Sequence, residues 1–265
     1  MSICLLQLVS EVLLTNASSW SVGDINALED VLSVCNNLSC LYLAQKIIGN
    51  TDPAEDAESL ESIFRMFSKH PQISEIGFEG MTLGGALGRY PLPAVDKFRL
   101  VCCKLTEPGF EGISKLELKH LEVIYNRPSY NFQGLYEFIE EQAKSLERLV
   151  LDFHLLAQYE YVDLLKQMAK FDRLQKLHLI CFLDFGISCF EDIVLALMSI
   201  RSAKSLGIDF VSGLDKDELP LRMTRLLQVM KGSCTLNCRP PLHIQLTQGF
   251  GESHPYSVLN TFWCH

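Results

Sequence analysis

The chain has 265 residues, of which 48% are apolar and 21% charged, and its formal net charge is −9. That balance excludes a disordered chain. The acidic excess argues against non-specific nucleic-acid binding, which needs a surplus of Lys and Arg. No stretch reaches the roughly 18 consecutive apolar residues of a spanning helix.

The first predicted strand carries the apolar triplet Val9, Val12 and Leu14. The segment from Met1 to Leu14 is apolar but has no Lys or Arg, and it carries Glu11, so it does not read as a signal peptide. Asp24 is the expected N-cap of a helix through Ile25, whose Ala27, Leu28, Val31 and Leu32 fall at helical spacing. Leu38, Leu41 and Leu43 form the next triplet.

Asn50-Thr51-Asp52-Pro53 opens a helix expected from Ala54 to His70, with an acidic first turn and an apolar face of Leu60, Ile63, Phe64 and Phe67. Ile73, Ile76 and Phe78 follow as the third triplet. Met81 to Pro93 holds Gly84, Gly85, Gly88, Pro91 and Pro93 and is expected to be loop. Val95, Phe98 and Leu100 form the fourth triplet, after a distinctly shorter step than the others. Beyond them two registers fit, Leu118-Leu121-Val123 or Ile113-Leu116-Leu118. A helix from Phe132 to Ala143 then leads into the clearest region.

There Leu146 to Leu151 reads L-x-x-L-x-L, Leu174 to Leu179 repeats it, and Ala203 to Ile208 gives a looser copy. The steps from Leu149 to Leu177 and from Leu177 to Leu206 are nearly equal, and the step from Val12 to Leu41 matches them. Self-similarity at a fixed period of this length is the signature of a solenoid. Amphipathic helices are expected at Tyr159 to Lys170, Phe190 to Arg201 and Asp217 to Lys231. The last precedes Leu242, Ile244 and Leu246. Thr247 to His265 shows no repeat and is expected to be a cap or tail.

Side chains alternate along a strand, so Leu149 and Leu151 face inward while Arg148 and Val150 face outward. One strand-plus-helix unit cannot bury its apolar face alone, and stacked neighbours can. The step from Leu149 to Leu177 leaves room for a helix of three turns. The shorter step from Ile76 to Phe98 does not.

This pattern resembles the leucine-rich-repeat family of the ribonuclease-inhibitor-like type. The resemblance implies an α/β solenoid, a horseshoe with a parallel concave sheet and convex helices. It would form one domain over residues 1–265, with repeats over about 9–246. The asparagine that the family places after the third apolar position is replaced here, with Phe153-His154, Cys181-Phe182 and Phe210-Val211 standing near it. The family occurs in substrate receptors of ubiquitin ligases and in NOD-like receptors. Resemblance therefore implies a protein–protein interaction module, not an enzyme, working without cofactor.

Aligning the repeats gives two outward columns. The first is Cys40, Glu75, Lys97, His120, Arg148, Lys176, Ser205 and His243, and the second is Tyr42, Gly77, Arg99, Glu122, Val150, His178, Gly207 and Gln245. Candidate partner-binding residues are Tyr42, Lys97, Arg99, His120, Arg148, Lys176 and His178. On an acidic chain they reverse the local sign and would suit a partner with an acidic surface. A solvated sheet face also favours long polar side chains, which is the plainer explanation of the same residues.

Other chemistry finds little support. Cys234 and Cys238 with His243 and His254 lack the paired spacing of a tetrahedral zinc site, so no metal is expected. Gly84 to Gly88 is no phosphate loop, because no Lys-Ser/Thr follows. Cys102 and Cys103 are expected within a strand, on opposite faces. The ten cysteines sit mostly in apolar runs, which suits free thiols in a reducing, cytoplasmic setting. The alternative fold is a (β/α)8 barrel, in which Asp152 and Asp209 at strand ends would be catalytic. Charged residues interleaved in the strands disfavour it, as do unequal steps, the widest being from Leu206 to Ile244.

Overall fold

The computed structural model describes residues 9–15, 21–44, 57–90, 92, 94–124, 132–152, 158–182, 192, 195–197, 199–211, 224, 228, 243–249 and 260–262. The chain divides into two compact units, Met1–Gln142 and Ala143–His265. Both are α/β, with strands that are mostly parallel.

In the first unit the elements run β1 (Glu11–Thr15), α1 (Val22–Val34), β2 (Cys40–Ala44), α2 (Ala57–Phe67) and β3 (Glu75–Glu79). They continue with β4 (Thr82–Leu83), α3 (Gly85–Arg89), β5 (Lys97–Val101), β6 (Lys104–Leu105), α4 (Glu107–Ile113), β7 (His120–Ile124) and α5 (Phe132–Glu141). Strands β1, β2, β3, β5 and β7 pair in that order, all parallel, and β4 with β6 makes a small parallel pair of its own.

Register follows the triplets. Val12, Leu41, Ile76, Phe98 and Leu121 are paired across successive strands, as are Leu14, Leu43, Phe78, Leu100 and Val123. All are buried except Val12, which is half-buried. The apolar residue ahead of each strand, Leu38, Ile73, Val95 and Leu118, is buried as well. Burying each such side chain stabilises the unit by about 1.5–3 kcal/mol. Aromatic rings thicken the core: Phe64 of α2 meets Phe78 at 5.6 Å between centroids, and Phe78 meets Phe98 at 5.8 Å.

The backbone at the strand entrances repeats as regularly as the core. Ser10 O accepts hydrogen bonds from the amides of Ser39 and Cys40, Ser39 O from Ser74 and Glu75, Ser74 O from Asp96 and Lys97, and Asp96 O from Lys119 and His120. One carbonyl thus satisfies two consecutive amides of the next strand, using both of its lone pairs. Spacing governs the helices: the short step from β3 to β5 holds α3 at five residues, while α1 and α2 have 13 and 11. The buried Gln142 side chain closes this unit, its Oε1 accepting the Leu118 amide at 2.9 Å.

The second unit runs β8 (Arg148–Asp152), α6 (Gln158–Met168), β9 (Lys176–Phe182), helical residues 195–197, β10 (Ser205–Val211), β11 (His243–Gly249) and β12 (Asn260–Phe262). Strands β8 to β11 pair in order and parallel, and β12 pairs antiparallel with β11. Leu149, Leu177 and Leu206 form one buried row, with Leu151 and Leu179 beside it. Glu147 O takes the amides of Gln175 and Lys176, and Gln175 O those of Lys204 and Ser205.

Three expectations change, an open register is resolved, and one outward residue proves buried. The N-cap of α1 is Ser21, and Asp24 is the third helical residue, returning a hydrogen bond to the Ser21 amide at 2.8 Å in a capping box. Met81 to Arg89 is a short strand and a helix rather than loop, and the helix stops before Pro91. Leu118-Leu121-Val123 is the register used, since β7 spans His120–Ile124. Cys102 and Cys103 lie between β5 and β6, not inside a strand. Cys102 has a φ of 51°, and Gly80, which likewise follows its strand by one residue, has a φ of 70°. Val150 occupies an outward position of β8 but is buried.

The expected helix at Asp217 to Lys231 (apart from residues 224 and 228), the cysteines at 234 and 238, and His254 lie outside the described residues, as do most of the residues after 249. No helix among the described residues is long and apolar enough to cross a membrane.

Candidate partner-binding face

Both outward columns form as the alternation requires. In the first unit Cys40, Glu75, Lys97 and His120 stand in register, and beside them Tyr42, Gly77, Arg99 and Glu122. Glu11 and Leu13 of β1 extend these columns. In the second unit the columns are Arg148, Lys176, Ser205 and His243, and Val150, His178, Gly207 and Gln245.

The first unit gathers its predicted residues around two carboxylates. Tyr42 donates its hydroxyl to Glu75 Oε1, and Lys97 Nζ donates to Glu75 Oε2 at 2.9 Å. Burial raises the Glu75 carboxyl, but the hydrogen bonds from Tyr42 and Lys97 outweigh it, and the group sits below its ordinary value. Burial and then the hydrogen bond to Glu75 push the Tyr42 hydroxyl the other way, well above its usual range. Arg99 pairs with Glu122 at 3.3 Å. Lys97 and Arg99 are exposed, whereas Tyr42 and His120 are half-buried.

Sequence reasoning counted the cations on this face and missed how fully they are answered. The signal was present, because Glu75 and Glu122 occupy the same columns as Lys97 and Arg99. It also passed over Leu13, which is 66% exposed and in register with Tyr42. The exposed side chains here are thus of mixed sign, with one large apolar residue at the β1 end.

Two glycines let rings lie down across the sheet. A β-carbon on Gly77 would fall 2.2 Å from Tyr42 Cδ1, and one on Gly207 would fall 2.8 Å from His178 Nδ1. In each case the ring belongs to the neighbouring strand and the same column. Covering a strand glycine with a cross-strand ring replaces the packing that the missing side chain would supply.

In the second unit Arg148 and Lys176 are register partners on adjacent strands, both exposed, with His178 half-buried beside them. Next in their column stands the half-buried Ser205. The face closes along the strands, for Val150 and Ile180 are buried and Asp152 is half-buried. Among the residues of this face whose burial is described, Arg148 and Lys176 at the strand entrances are the exposed ones.

Among the described residues no cluster of His, Cys, Asp and Glu is arranged to hold a metal ion. Cys35, Cys40 and Cys103 are buried free thiols and Cys102 is half-buried. Burial pushes the Cys103 thiol up to about 12, which leaves it protonated and a poor nucleophile. No protein-family model matches the chain, and no curated protein matches its sequence.

Proposed function

We propose that this chain is a leucine-rich-repeat solenoid of the ribonuclease-inhibitor-like type, serving as a protein–protein interaction module whose partner binds the outward face of the sheet. The observation that carries the reading is the alternation on β5: Phe98 and Leu100 are buried while Lys97 and Arg99 between and beside them are exposed. A barrel strand would be covered on both sides.

Arg148 and Lys176 would be the central contacts, with His178 behind them. Side by side on adjacent strands and both exposed, they present two cationic groups to one carboxylate of an acidic partner. Tyr42 and Arg99 would supply contacts on the first unit, where Tyr42 is held in place by Glu75 and offers a preorganised aromatic surface. The buried free thiols support a reducing compartment, the cytoplasm in this reading.

Affinity capture from cells followed by mass spectrometry tests the proposal, run with the natural chain and with Arg148→Glu/Lys176→Glu. A partner lost in the double variant, with the melting temperature unchanged, is the expected result. Identical capture by both forms would remove the face from consideration.

A further inference from the structure

The loops that lead into β8, β9 and β10 carry a second charged surface, separate from the outward face. In a parallel array every helix-to-strand loop lies at the same end of the sheet. Here the loops are tied together directly. Glu147 O holds the Gln175 and Lys176 amides at 2.8 and 3.0 Å, Gln175 O holds those of Lys204 and Ser205 at the same distances, and Ser202 Oγ donates to Phe171 O at 2.5 Å. Successive loops are thus stacked at about the strand spacing of 4.8 Å.

Along this stack stand Lys144, Lys170, Arg173, Arg201 and Lys204, all exposed. The acids among them are the half-buried Glu147 and the exposed Asp172. None of these five cations has an ion pair or side-chain hydrogen bond among the described residues. The corresponding loops of the first unit differ: Lys69 is bound to Glu29, and Lys119 to Asp96 at 2.9 Å. Such a cationic ridge on a chain of net charge −9 is a strong local reversal.

We infer that this ridge binds an acidic, extended polypeptide segment of a partner protein. The surroundings select among polyanions. Apolar residues of these loops, Leu146, Phe171, Leu174 and Ile200, are all buried, so among the described residues no exposed ring is there for a base to stack on and no apolar side chain to enter a bilayer. A long nucleic acid or a charged membrane would also meet the acidic remainder of the chain. A short acidic segment spans only the ridge, and screening over about 8 Å hides it from the rest.

The test uses the full chain and a fluorescent peptide of alternating Glu and Ser, followed by anisotropy at low and physiological salt. Arg173→Glu/Lys204→Glu is expected to weaken binding about tenfold or more, and Arg173→Gln/Lys204→Gln to weaken it less, with affinity falling as salt rises. Should the reversal pair lower the melting temperature, the neutral pair decides, since it removes charge without adding repulsion. Unchanged affinity in the variants overturns the inference, and so does tighter binding to oligo-uridine or to phosphatidylserine vesicles than to the peptide. Arg148, Lys176 and His178 are intact in both variants, so failure here is distinct from failure of the outward-face reading.

Discussion

Tyr42 lies so close over Gly77 that the glycine hydrogen is the largest substituent the site admits. The ring spans from its own strand to the next and there reaches Glu75, two residues from the glycine it covers. Gly77→Ala is expected to swing the ring away and break that hydrogen bond, at about 1–3 kcal/mol for the overpacking. Tyr42→Phe keeps the ring and loses only the hydroxyl, for about 0.5–1.5 kcal/mol. Chemical denaturation of the two variants checks the order, and a larger loss in Tyr42→Phe would contradict it.

Gly80 and Cys102 make the same left-handed turn after their strands, but only one of them is a glycine. A side chain in that conformation costs about 1–2 kcal/mol, partly offset by the greater flexibility of glycine when unfolded. Cys102→Gly is therefore expected to raise stability by up to about 1 kcal/mol. Gly80→Ala is expected to lower it by about 1 kcal/mol. Opposite signs in a denaturant titration are the outcome to look for.

Gln142 is 1% exposed and serves the amide that opens the approach to β7. Gln142→Met fills nearly the same volume and leaves the Leu118 N–H buried without its acceptor. A loss of about 1–3 kcal/mol is expected, with faster hydrogen exchange at Leu118 as the local readout.

Acid should unfold the first unit through two groups. Burial holds His70 below the ordinary histidine value, opposed by Glu29 and reinforced by Lys69. The unfolded chain then binds a proton more readily than the native one, so stability is full above the ordinary histidine value and falls as pH drops below it. Glu75, also held below its ordinary value, adds a second loss as pH falls through the carboxylate range. Melting temperature against pH is expected to lose its upper step in His70→Asn and its lower one to weaken in Glu75→Gln.

The core of this fold was legible because one rule of alternation writes it: Leu149, Leu177 and Leu206 announce their register in sequence and meet it in space. Features that depend on neighbours were harder. Gly84, Gly85 and Gly88 signal loop by intrinsic preference, yet α3 forms there, between two strands that pair elsewhere. Asp24 reads as the cap because it stands nearer the apolar run, although Ser21 and Asp24 form a capping box at its ordinary spacing. The cations of the candidate face are visible in the sequence, but their neutralisation is not, since Lys97 with Glu75 and Arg99 with Glu122 pair between strands that lie well apart along the chain. The basic ridge is not legible in the sequence for a related reason: its members are scattered among helix ends and loops, and only the stacking of Glu147, Gln175 and Lys204 collects them.

Each carbonyl from Ser10 to Asp96 that holds two amides of the following strand links that strand to one predecessor and to nothing more distant. Opening at β1, whose only described partner strand is β2, therefore exposes Ser39 and Cys40 first and leaves Lys119 and His120 engaged. Such a unit peels in sequence, like a zip, with protection graded along it, and any force or protease acting at that margin meets its resistance one strand at a time.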